Sequence, residues 1–188
     1  MQFPALQQLV QTFDRSPALR WWLGCGMTVL SVLICTCLLP TRLPGMEIGG
    51  IGPHWLLIWV VSWSLKRSVL SSVAAGMAIG MVQDAMSEPH PTHMLSLMLV
   101  GFLTSKLQKQ RFLQEDFISV ALVTFGMAVV AETVLAIQFS FLGIRTLMDI
   151  WKHHQLIALS SAILSSLWAP VLYFPLNLGW RWSGISED

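Results

Sequence analysis

Charged side chains are scarce in this chain: Asp, Glu, Lys and Arg together make up 11% of 188 residues. The 11 Lys and Arg nearly balance the 10 Asp and Glu, for a net charge of +1. Such a chain has no basic field with which to neutralise phosphates, so no nucleic-acid partner is expected. Cysteine is equally sparse, and Cys25, Cys35 and Cys37 all sit in one apolar run. They read as small packing hydrophobes, not as a disulfide framework or a zinc site. Catalytic signatures are missing too: there is no Gly-x-Ser-x-Gly elbow, no His-Glu-x-x-His helix, no P-loop and no pair of intramembrane aspartates. An enzyme is not expected, nor is a cofactor.

What the chain has in abundance is apolar surface. Hydrophobic residues make up 54% of it, and the mean hydropathy of +0.64 lies well above that of a soluble domain. A bilayer restricts such a chain to a helix bundle or a closed barrel. Barrel strands alternate apolar and polar residues over about ten positions, whereas Val120 to Val130 is almost continuously apolar. The fold expected is all-α: a polytopic membrane protein with six transmembrane helices in a compact bundle.

The spans follow from the charge-free runs, because a helix needs about 20 apolar residues to cross the hydrocarbon core. They are Trp21 to Thr41, Ile48 to Leu65, Ser68 to Ala85, Pro91 to Leu107, Phe117 to Leu142 and Gln155 to Leu178. The first is too long, and lacks the small-residue cleavage site, for a removed signal peptide; it should stay as an anchor. The second opens with Gly49-Gly50-Ile51-Gly52-Pro53, so its regular part should begin near Pro53. The third and fourth form a hairpin around Ser87-Glu88-Pro89-His90. Pro170 and Pro175 should kink the sixth. The domain reading is a cytoplasmic segment over residues 1–20, a six-helix transmembrane domain over 21–178 and a cytoplasmic tail over 179–188.

Orientation follows from the cations. With six spans, Arg15, Arg20, Lys66, Arg67, Lys106, Lys109, Arg111 and Arg181 fall on one side, and only Arg42, Arg145 and Lys152 on the other. Positive residues resist translocation, which puts both termini in the cytoplasm. Trp21, Trp22, Trp151, Trp180 and Trp182 fall at span ends, where amphipathic rings prefer to sit.

Within the third span, Ser68, Ser72, Gly76, Gly80 and Asp84 recur every four residues and share one stripe. Small residues at this spacing let another helix approach to backbone distance, either inside the bundle or on a partner or ligand. Asp84 ends the stripe about 24 Å from the start of its helix, and Glu132 sits at a similar height on the fifth span. Burying either charge costs several kcal/mol unless it is paired, hydrated or protonated. Both are therefore functional candidates. Alternatively they reach the outer interface or bond polar neighbours such as Gln83, Thr133 and Gln138. His54 joins them as a polar residue at the outer side. His90-x-x-His93 straddles Pro91 without cysteine or a recognised zinc spacing, so no metal site is expected there. A local hydrogen bond to Asp84 or Glu88 is the simpler expectation. Lys106, Lys109 and Arg111 mark a solvated cytoplasmic connection where a partner could dock.

These features resemble the rod shape-determining MreD family of bacterial inner-membrane proteins. The likeness covers nearly the whole chain and rests on its small size, its six spans and the central stretch. That stretch is Gly52-Pro53-His54-Trp55-Leu56-Leu57-Ile58-Trp59-Val60-Val61, followed by Ala75-Gly76-Met77-Ala78-Ile79-Gly80-Met81-Val82-Gln83-Asp84. In the family a proline opens the second span, and a glycine-rich run ending in aspartate fills the third; Pro53, Gly76, Gly80 and Asp84 stand at those places. Pro89-His90-Pro91-Thr92-His93 replaces the glycine and small residues usual after that aspartate.

The resemblance implies a non-enzymatic component of the cell-elongation machinery for lateral peptidoglycan. It would be paired with the bitopic protein MreC and linked to the MreB filament and wall-synthesis enzymes. Gly76 and Gly80 would permit close approach, Asp84 would fix a polar contact, and Lys106, Lys109 and Arg111 would face cytoplasmic components or anionic membrane lipid. The family's fold is thought to resemble the substrate-binding subunit of energy-coupling factor vitamin transporters, which is the alternative reading. Those subunits present Ala-x-x-x-Ala on the first span; here Ala74-x-x-x-Ala78 is on the third.

Overall fold

A computed structural model describes residues 17–41, 47, 50–87, 91–109, 116–142 and 147–182. Their secondary structure is helical: α1 (Pro17–Leu38), α2 (Trp55–Ser64), α3 (Val69–Met86), α4 (His93–Lys109), α5 (Phe117–Phe141) and α6 (Leu147–Trp182). Six helices thus stand where six apolar runs were expected. By length and composition, Val69–Met86, Phe117–Phe141 and Gln155–Arg181 can each cross a membrane; Trp22–Leu38 and Trp55–Ser64 are shorter apolar helices. Helix lengths therefore support three of the six expected crossings directly.

The clearest departure is α2. The run Ile48 to Leu65 narrows to a helix of 10 residues, about 15 Å long. Gly50 takes a φ of 81°, a left-handed turn that favours glycine, and helix begins only after Pro53. His54 is the N-cap, its side chain accepting from the Leu57 N–H. Unlike a surface helix, α2 has no solvated stripe. Leu56, Leu57, Ile58, Val60 and Val61 are fully buried, and α2 packs on every other helix.

Around it, α3 packs on α4, α4 on α5, α5 on α6 and α6 on α1. The depth of α2 is fixed by α6, which is 36 residues long. The His54 N–H donates to Ser165 Oγ at 2.9 Å, and Trp55 meets Trp168 edge-on at 5.7 Å. Farther along, Trp59 and Trp63 stack at 5.4 Å, and Trp180 stands perpendicular to both. The start of α2 therefore lies about halfway along α6, and its end lies beside the end of α6. At that level the His54 N–H is bonded to Ser165 and the Trp55 N–H to the Pro53 carbonyl, while Gly50 and Gly52 are exposed. Helix α6 continues through Pro170 and Pro175 to Trp182.

Candidate functional site

The stripe on α3 faces α4. Ser72, Gly76 and Gly80 are buried, and Ser72 Oγ donates to the Ser68 carbonyl at 3.0 Å. A side chain on Gly76 would run into the Leu97 carbonyl, and one on Gly80 into the Met94 backbone. Gly101 answers from α4, where an added Cβ would strike the Ser72 carbonyl. The two backbones meet with no side chain between them, as the four-residue spacing allows. Gly101 was not apparent as part of this contact; its signal was a lone glycine one heptad after Met94, legible only once the facing helix is known.

Asp84 closes the same stripe by capping the next helix. Its Oδ1 accepts from the His93 N–H at 2.6 Å and from His93 Nδ1 at 3.0 Å, and its Oδ2 accepts from the Met94 N–H at 3.2 Å. A helix start leaves its first N–H groups without intrahelical partners and carries partial positive charge, so a carboxylate suits it on both counts. Caps usually come from the helix's own N-cap residue; here the carboxylate arrives from α3. Gln138 on α5 holds the residue before His93. Its Oε1 accepts from the Thr92 N–H at 3.0 Å and from Thr92 Oγ1 at 3.1 Å, while its Nε2 donates to the Thr92 carbonyl at 3.1 Å. The start of α4 is thus tied to α3 and α5 at once.

His54 belongs to a second polar centre. Its backbone N–H bonds Ser165, and its Nε2 lies 3.3 Å from the amide nitrogen, Nε2, of Gln83. Since Nδ1 accepts from Leu57, the neutral ring carries its proton on Nε2, and the amide oxygen is the group able to receive it. This centre joins α2, α3 and α6. Glu132 is buried within α5, and Thr133 bonds the Val129 carbonyl of its own helix. Lys106 is exposed, with Nζ 4.8 Å from the Phe102 ring centre. Lys109 ends α4; its side chain, like all of Arg111 and His90, lies outside the described residues.

Chemically, Asp84 and Gln138 use their side-chain oxygens within the chain, whereas Gln83 Oε1 is buried with no hydrogen-bond partner in this amide orientation. Among the described residues no three His, Cys, Asp or Glu side chains gather as metal ligands do, and the three cysteines are free thiols. A cleft of about 170 Å³ opens between Leu39 and Thr41 at the end of α1 and Glu47, Gly52, Pro53 and Trp55. It falls short of the ~300 Å³ at which pockets for vitamin-sized ligands begin, and His54, Asp84 and His93 do not line it.

A family model described as rod shape-determining protein MreD matches residues 18–180. The chain belongs to the MreD family. The match runs from the start of α1 nearly to the end of α6, so it takes in α2, the glycine contact and both polar centres. MreD proteins are structural, shape-determining membrane proteins, and the three long apolar helices agree with that class. No curated protein and no solved structure matches the chain.

Proposed function

We propose that this MreD-family chain is a non-enzymatic, multi-pass component of the bacterial inner membrane that serves cell elongation as a scaffold. It crosses the membrane six times with both termini in the cytoplasm. It binds an MreC-like bitopic protein and, with it, the MreB filament and the enzymes of lateral peptidoglycan synthesis. The observation that carries this reading is the family match over residues 18–180. It is supported by the use of Asp84, His54 and Gln138 in ties between the chain's own helices.

In this reading Ser72, Gly76, Gly80 and Asp84 make the α3–α4 hairpin one rigid unit. Glu132 is an intramembrane polar group of the bundle, and His54 anchors the start of α2. Lys106, Lys109 and Arg111 face cytoplasmic components of the machinery or anionic lipid. The outward faces of the helices are then the surfaces left for partner helices and lipid tails.

Depleting the chain from growing cells tests the role: rods should widen and round up, and rods that persist would contradict it. A reporter fused after Asp188 should read cytoplasmic; an external reading would overturn the orientation alone.

A further inference from the structure

Residues 50–53, which lead into α2, run without helix through a level that belongs to the bilayer core. Helix α2 has 10 residues and rises about 15 Å from the turn that carries Lys66 and Arg67, so Trp55 stands near the middle of a core about 30 Å thick. On α6, which the His54 N–H meets at Ser165, the same level lies about 15 Å along the helix from Gln155, the outer end of its apolar stretch. From Trp55 the chain back to Gly52 climbs no more than ~11 Å even when fully extended. Gly52 is therefore still inside the core. Yet this backbone is not shielded: Gly50 and Gly52 are exposed, and neither has any atom within 4 Å of where a side chain would begin. The cleft of about 170 Å³ lies against them. It reaches from Thr41, exposed beyond the end of α1, to the buried Trp55.

We propose that this cleft is a water-filled recess, open to the outer side of the membrane, that carries water to the level at which α2 starts. Lipid tails offer no hydrogen bonds, so non-helical backbone at this depth must be buried in protein or line a hydrated cavity. The exposure of Gly50 and Gly52 excludes the first. At ~30 Å³ per molecule in the liquid, the cleft holds a handful of waters, and Thr41, Glu47 and the glycine backbone line it with polar groups. Water here leaves the half-length α2 compatible with a membrane position: the segment before it is solvated rather than set against tails. The recess rests on the crossing and orientation proposed above.

Thiol accessibility in the full-length chain provides the test. In a background of Cys25→Ala, Cys35→Ala and Cys37→Ala, single cysteines are placed in turn, and right-side-out and inside-out membrane vesicles are treated with a charged maleimide that does not cross the bilayer. Gly52→Cys enters open space. In right-side-out vesicles it should react within about tenfold of the rate of Thr41→Cys at the rim, because a hydrated thiol ionises. Leu167→Cys lies two residues beyond Ser165, at a site 63% exposed on the outward face of α6. It should react at least ~100-fold more slowly, since tails exclude both water and reagent. Gly52→Cys reacting as slowly as Leu167→Cys would overturn the recess, whether lipid or a partner chain covers it. Reaction of Thr41→Cys and Gly52→Cys in inside-out vesicles alone would overturn the orientation, and the outer opening with it. Hydrogen exchange of the unaltered protein in lipid nanodiscs needs no variant. The peptide containing residues 50–52 should exchange as fast as a surface loop, and protection equal to that of the middle of α5 refutes the recess.

Discussion

Helices α3 and α1 are both apolar and both contain glycine, yet the bundle uses them in opposite ways. On α3, Gly76 and Gly80 are a full turn apart on one stripe, and α4 lies against their backbone. On α1, Gly24 and Gly26 are two residues apart and point to different faces, and nothing lies within 4 Å of where a Gly26 side chain would start. Among the described residues, helix α1 packs only on α2 and α6. One polar tie to the rest is the hydrogen bond from Trp59 Nε1 to Ser31 Oγ at 2.8 Å. Trp22, Val29, Leu30 and Leu33 are each more than half exposed. In water such a face would be a liability; against lipid tails it costs nothing, because tails are as apolar as leucine. The lesson is that glycine register, not glycine content, decides which helices close on backbone.

This difference can be broken from the hairpin side first. Gly80→Leu forces a side chain into the Met94 backbone, and a loss of about 3 kcal/mol is expected from such overpacking. Thermal unfolding of the purified protein measures it, and an unchanged midpoint would separate the stripe from α4. Asp84→Asn leaves one acceptor oxygen and turns an NH2 group toward a backbone N–H, at a cost of about 2 kcal/mol. Amide exchange at His93 and Met94 should then quicken; equal exchange would remove the cap from the account. On α1 the effects shrink. Ser31→Ala removes one bond to Trp59 and should cost ~1 kcal/mol, and a larger loss would mean that α1 is held more firmly than its contacts indicate. Gly26→Leu, into open space, should change stability by less than about 0.5 kcal/mol. A loss there equal to that of Gly80→Leu would erase the distinction.

The sequence made the helices legible because charges and prolines bound the apolar runs. The stripe Ser72, Gly76, Gly80, Asp84 was legible because its period is that of a helix. Its occupant was not, since the matching surface of Leu97, Met94 and Gly101 has no small-residue pattern of its own. Asp84 was recognisable as an acid needing a reason, but a cap given by one helix to the next depends on the turn between them. For α2, Gly50 and Pro53 announced a late start, while its half length and depth came from Ser165 and the tryptophans of α6. His54 is not a preferred cap residue, so propensity gave no sign of its role.

The scaffold account is tested most directly by affinity purification of the chain from native membranes in mild detergent, with identification of the proteins that accompany it. An MreC-like bitopic protein together with wall-synthesis enzymes is the predicted result. Recovery instead of ATPase subunits with a coupling membrane protein would contradict the account.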